Sequence, residues 1–141
     1  MRRNMIRAGL ASLAAAGAVA ALPGIASATD LTPEPIGGRE RVKVTVTSTE
    51  MKKLNCTATV VGGGGSATFP VDIGERQSIV IPGVAPGHWT VHVKCTDTGG
   101  TVRLDRVPTV NVDLANPALD AMDSVFISAG SSGLATDPTL R

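Results

Sequence analysis

The chain has 141 residues with 13 basic and 12 acidic side chains, two cysteines, two histidines, one tryptophan, two phenylalanines and no tyrosine. This length fits one domain with a leader rather than two domains. The balanced charge offers no basic stripe to neutralise phosphates, so a nucleic-acid partner is not expected.

The N-terminus reads as an export signal. Arg2, Arg3 and Arg7 form a positive start, and Ala8 to Leu22 carry no charge. Pro23 and Gly24 then break any helix, and Ala26-Ser27-Ala28 supplies the small-x-small pattern that signal peptidase accepts, so residues 1–28 are expected to be removed. A retained anchor would need about 20 strongly apolar residues, which this alanine-rich stretch lacks, so no stable membrane insertion is expected after cleavage. The run Arg2-Arg3-Asn4-Met5-Ile6-Arg7 resembles a twin-arginine signal, and both export routes stay open. No cysteine is available near the cleavage point for acylation. The expected location is secreted and extracellular, or held non-covalently in the cell envelope. Cleavage removes three basic residues and no acidic ones, leaving about 113 residues with a net charge of about −2.

Residues 29–40 are polar, and Pro33 and Pro35 suggest a flexible, extended lead-in. From Arg41 the pattern takes period two. Val42, Val44 and Val46 alternate with Lys43, Thr45 and Thr47, and Leu54, Cys56, Ala58 and Val60 alternate with Asn55, Thr57 and Thr59. Both runs predict half-buried strands. Gly62 to Gly65 form a loose tip before a return strand at Ala67 to Val71. Ser78 to Ile81 is a further short strand, followed by the corner Pro82 to Gly87.

Trp89, Val91, Val93 and Cys95 share one face of the clearest strand, and His88, Thr90, His92 and Lys94 share the other. After the turn Asp97-Thr98-Gly99-Gly100, strands are expected at Val102 to Leu104 and at Val110 to Leu114. Asn116-Pro117 is read as the cap of one helical turn reaching Met122, and Val125 to Ile127 as a last strand. Residues 129–141 offer little to bury and are expected to be disordered. The expectation is an all-β, antiparallel sandwich of about seven or eight strands over residues 41–128, closed by one disulfide.

Cys56 and Cys95 fall on inward faces, and export would place them where thiols oxidise, so a disulfide is expected. Two cysteines without further ligands make no zinc site. His88 and His92 at i, i+4 suit a helix face, but on a strand they stand about 13 Å apart, too far to share one ion. Gly62 to Gly65 lack the lysine and following helix of a phosphate-binding loop. Asp113, Asp120 and Asp123 match no calcium loop and read as scattered surface carboxylates. Trp89 alternates with core valines and is expected to anchor the core.

The segment Pro82-Gly83-Val84-Ala85-Pro86-Gly87-His88-Trp89-Thr90-Val91-His92-Val93 resembles one that recurs in small secreted bacterial Ig-like, fibronectin-III-like and prealbumin-like β-sandwich domains. The resemblance implies an Ig-like architecture and leaves the function open, because such sandwiches host many roles. It departs from antibody-type domains in placing Trp89 about 20 Å along the strand from Cys95.

The function expected is an exported, non-enzymatic binding or structural module for an extracellular protein or small molecule, with no cofactor or metal. The alternatives are a carrier of small apolar molecules and a secreted protease inhibitor, with a hydrolase last. Both histidines lie on one strand, and no Gly-x-Ser-x-Gly is present. The loops at 62–65, 82–88 and 97–100 are the candidate binding surfaces.

Overall fold

The computed structural model describes residues 31–141, so the expected signal peptide and its cleavage point lie outside the described residues. Eight strands and one α-helix follow in order: β1 (Thr32–Gly38), β2 (Arg41–Thr47), β3 (Leu54–Val61), β4 (Ser66–Val71), β5 (Arg76–Pro82), β6 (Gly87–Asp97), β7 (Val102–Arg106), β8 (Thr109–Val112) and α1 (Pro117–Ser128). Two short 3-10 turns, Ser132–Leu134 and Pro138–Leu140, complete the chain.

The strands form two antiparallel sheets. One is β1-β2-β5. The other runs β4-β3-β6, and β6 then pairs with both β7 and β8. β8 takes the start of β6, with Trp89 opposite Val110, and β7 takes its end, with Cys95 opposite Leu104. Between them Pro108 interrupts the line, and its carbonyl accepts from Val91 N at 2.8 Å. The two sheets meet beside β8, where Asp113 N donates to Gly38 O and Glu40 N donates to Asp113 O.

Valine alternation builds the core. Val42, Val44 and Val46 from β2 face Ala58, Val60, Val91 and Val93 from the other sheet, and all are buried. Full burial of a valine side chain is worth roughly 1.5–3 kcal/mol, so this row supplies much of the folding energy in a domain nearly free of aromatics. Cys56 and Cys95 are direct cross-strand partners and form the disulfide, with Cα atoms 4.0 Å apart. The bond lies within one sheet, stapling neighbours β3 and β6, whereas antibody-type domains bridge two sheets.

Three segments depart from the sequence expectation. Residues 32–38 form strand β1 rather than a flexible lead-in. Pro33 and Pro35 sit at alternate positions of an edge strand, where a missing N–H costs no ladder bond. Residues 125–127 belong to α1, not to a last strand. The Asn116 side chain accepts from Leu119 N at 3.2 Å, Pro117 opens the helix, and it continues to Ser128. Residues 129–141 are not disordered but fold back over β1 and β2, burying Ala135, Asp137 and Thr139. Polar contacts, invisible to a count of apolar residues, hold them there.

Candidate functional site

Pairing of Val61 with Thr90 brings the 62–65 tip to the start of β6, beside the 82–88 corner. The 97–100 turn lies at the opposite end of β6, next to Leu54. Of the three loops singled out by sequence, two therefore share an end and the third does not.

Trp89 stands where those two loops meet. Its alternation with Val91 holds, and its ring packs against the core cluster. But the residue lies near the open end of the sandwich, so the ring is half-buried rather than enclosed. Its indole Nε1 donates to Ala85 O at 2.6 Å, which ties the ring to the corner. The other side of the ring meets the tip. A Cβ built on Gly62 would sit 3.2 Å from Trp89 Cζ3, and Gly62 has φ +100°, which side-chain-bearing residues rarely adopt. The absence of a side chain at Gly62 lets the tip lie close to the indole.

The segments that build this end carry no formal charge, and Glu40 and Arg41 border the 82–88 corner from the β1–β2 hairpin. Residues 54–71 and 77–93 contain no Asp, Glu, Lys or Arg, although such residues make up 18% of the chain. Val61, Ala85 and Pro86 are exposed around the half-buried indole. A surface depleted of charge and centred on an aromatic side chain has the composition of the middle of a protein–protein contact.

The opposite end is charged and internally satisfied. Asp97 is buried and accepts from Gly99 N at 2.9 Å, Thr101 N at 3.0 Å and Arg103 Nη2 at 2.8 Å, with Lys52 Nζ at 3.5 Å. The Arg103 bond, with the backbone N–H of Thr101 and Gly99, outweighs burial and holds the Asp97 carboxyl down to about 2. A cleft of about 460 Å³ opens beside it, lined by Lys53, Asn55, Pro70, Thr96 and Thr98 among others.

The remaining candidates are dispersed. His92 Nε2 is 2.7 Å from Asp105 Oδ1, while His88 is exposed opposite Asn111. Among the described residues, no group of three or more His, Cys, Asp or Glu could hold a metal ion. No described helix is long and apolar enough to cross a membrane.

The three aspartates are not all scattered on the surface. Asp113 is exposed, but Asp123 is fully buried and Asp120 is half-buried, and both meet Arg39. Sequence reading missed this group because Arg39 was assigned to a flexible lead-in. The alternation Arg39-x-Arg41-x-Lys43, set against the aspartates downstream of residue 112, was the available signal.

No family model matches this sequence, and no curated protein is significantly similar to it.

Proposed function

We propose that the chain is an exported binding module of Ig-like architecture, acting outside the cell, and that it engages a protein partner through the loop end at Trp89. The observation that carries this reading is the convergence of the 62–65 tip and the 82–88 corner on a half-buried indole. Tryptophan is among the side chains most enriched at binding hot spots. Here its orientation is set by the Ala85 hydrogen bond and by the Gly62 contact before any partner arrives. Such preorganisation lowers the entropy cost of association.

The filled valine core supports a protein partner over an apolar small-molecule carrier. A carrier needs a pocket of several hundred cubic ångströms lined mainly by apolar groups. The cleft of about 460 Å³ instead lies at the surface beside Asp97 and Lys53.

Export and binding are tested separately. Intact mass of the protein recovered from the medium of its native host should correspond to a chain starting at Thr29. Only full-length chain in the membrane fraction would overturn export. A photo-crosslinking residue placed at Gly63 or Ala85 should yield a discrete protein adduct, and the same residue at Thr57 on the open sheet face should not. Adducts from Thr57 alone would overturn the loop-end assignment.

A further inference from the structure

The segment after Asn116 is attached to the sandwich in an unusual way. The last residue of the core cluster is Val112, so nothing in residues 116–141 belongs to it. Leu119, Phe126 and Leu140 are only half-buried, and Met122, Val125 and Leu134 are exposed. What holds the segment is charge. Arg39, 8% exposed, donates from Nε to Asp120 at 2.8 Å, from Nη1 to Thr136 Oγ1 at 2.9 Å and from Nη2 to Asp123. Its backbone N–H donates to Asp137 Oδ2 at 3.0 Å, and Arg41 Nε lies 3.5 Å from the same carboxyl oxygen. Lys43 Nζ donates to Arg141 O at 2.5 Å. Arg41 and Lys43 alternate with the inward valines of β2, so they stand on the outer face of its sheet. Gly38 sits beneath the segment, where a Cβ would fall 2.1 Å from the Asp137 carboxyl.

This is a row of three cations covered by the same chain, Arg39 and Arg41 by carboxylates and Lys43 by the backbone oxygen of Arg141. Apolar burial gives a segment most of its resistance to opening, and regions poor in it open locally at a cost below that of global unfolding. Buried ion pairs add little net stability, because opening returns both charges to water. The connection Leu114-Ala115-Asn116 is exposed throughout, so the segment can swing without disturbing β8.

We propose that residues 116–141 are a releasable cover over the cation row Arg39, Arg41 and Lys43, and that the uncovered row docks an acidic polypeptide segment of a partner. The complementarity is already displayed: the cover presents Asp120, Asp123 and Asp137 to that row. An acidic segment that reproduces those contacts competes with it. The row borders the 82–88 corner, with Arg41 opposite Pro82 across the β2–β5 pair, but the proposal does not rest on the reading of Trp89.

Native-state hydrogen exchange on the full chain, followed by fragment mass spectrometry, tests the release. Amides of α1 should exchange together and faster than those of β3 and β6, and faster still in added salt. In Asp123→Asn, which removes one charge from the cover and none from the row, α1 should exchange about 10- to 100-fold faster with β3 and β6 unchanged. Docking is read with fluorescent poly-L-glutamate, which should bind Asp123→Asn about 10-fold or more tightly than wild type. Adding Lys43→Glu should remove that gain. Loss of protection in α1 and β3 together would overturn the releasable cover. Equal poly-glutamate affinity for wild type and Asp123→Asn, no effect of Lys43→Glu, or binding of heparin without binding of poly-glutamate would overturn the docking assignment.

Discussion

Arg39 and Asp123 lie 84 residues apart in sequence and form a buried ion pair. It joins the β1–β2 hairpin to the helix that follows the last strand. Burial raises the carboxyl pKa of Asp123, but the backbone N–H groups of Thr136 and Asp137, with Arg39 and the Thr136 hydroxyl, outweigh it and hold the value at about 2. The same balance lowers Asp137: burial is opposed by the hydroxyl and N–H of Thr139 and the N–H of Arg39.

These depressed values fix a pH dependence. A carboxyl whose folded pKa lies below its unfolded value of about 3.9 stabilises the fold fully above that value, and its contribution is lost as pH falls toward the folded pKa. Protection of α1 should therefore be constant from pH 7 to about 5 and fall between about pH 4 and 2. Hydrogen exchange corrected for intrinsic rates measures this. A loss of α1 protection near pH 6 would assign the hold to another group.

The disulfide joins strands that are already hydrogen-bonded neighbours. Closing a loop of this length is worth roughly 4 kcal/mol in the chain-entropy model, and native disulfides of small secreted domains typically contribute 2–5 kcal/mol. Replacing both Cys56 and Cys95 by Ala should lower unfolding free energy in urea by an amount in that range. An unchanged midpoint would show that sheet pairing alone fixes the register.

Trp89 and Gly62 should respond together. A half-buried ring loses less on truncation than the 3–5 kcal/mol typical of an enclosed one, so Trp89→Ala should cost about 2 kcal/mol. Gly62→Ala should cost about 1 kcal/mol or more, through its positive φ and the new contact with the indole. In the double variant the contact part of the Gly62→Ala cost should disappear, leaving only the backbone part. Strict additivity in urea melts would mean that tip and ring are not coupled.

Period-two valines made the course of β2, β3 and β6 legible in the sequence, because alternation on a strand maps directly onto burial. The Cys56–Cys95 bond was legible for the same reason. Trp89 was read on the correct face, but its half-burial depends on where the sandwich ends, which alternation does not encode. The Asn116-Pro117 cap and the start of α1 were legible, whereas the sequence pattern misplaces residues 125–141. Val125 to Ile127 have strand-like composition, but the helix is set by the Asn116 cap and by Arg39 holding Asp120 and Asp123 on one side of it. Residues 129–141 looked too polar to fold because they are secured by specific donors and acceptors, whose partners lie in segments nearly a hundred residues away.

The central claim is that the loop end around Trp89 is the contact surface, and a charge placed between its loops tests it most directly. Ala85 is exposed, so Ala85→Asp should shift stability by less than about 0.5 kcal/mol. Titration calorimetry with the partner identified by crosslinking should show at least about a tenfold weaker dissociation constant for Ala85→Asp than for wild type, with an unchanged melting temperature. Equal affinity of the two proteins would contradict the account.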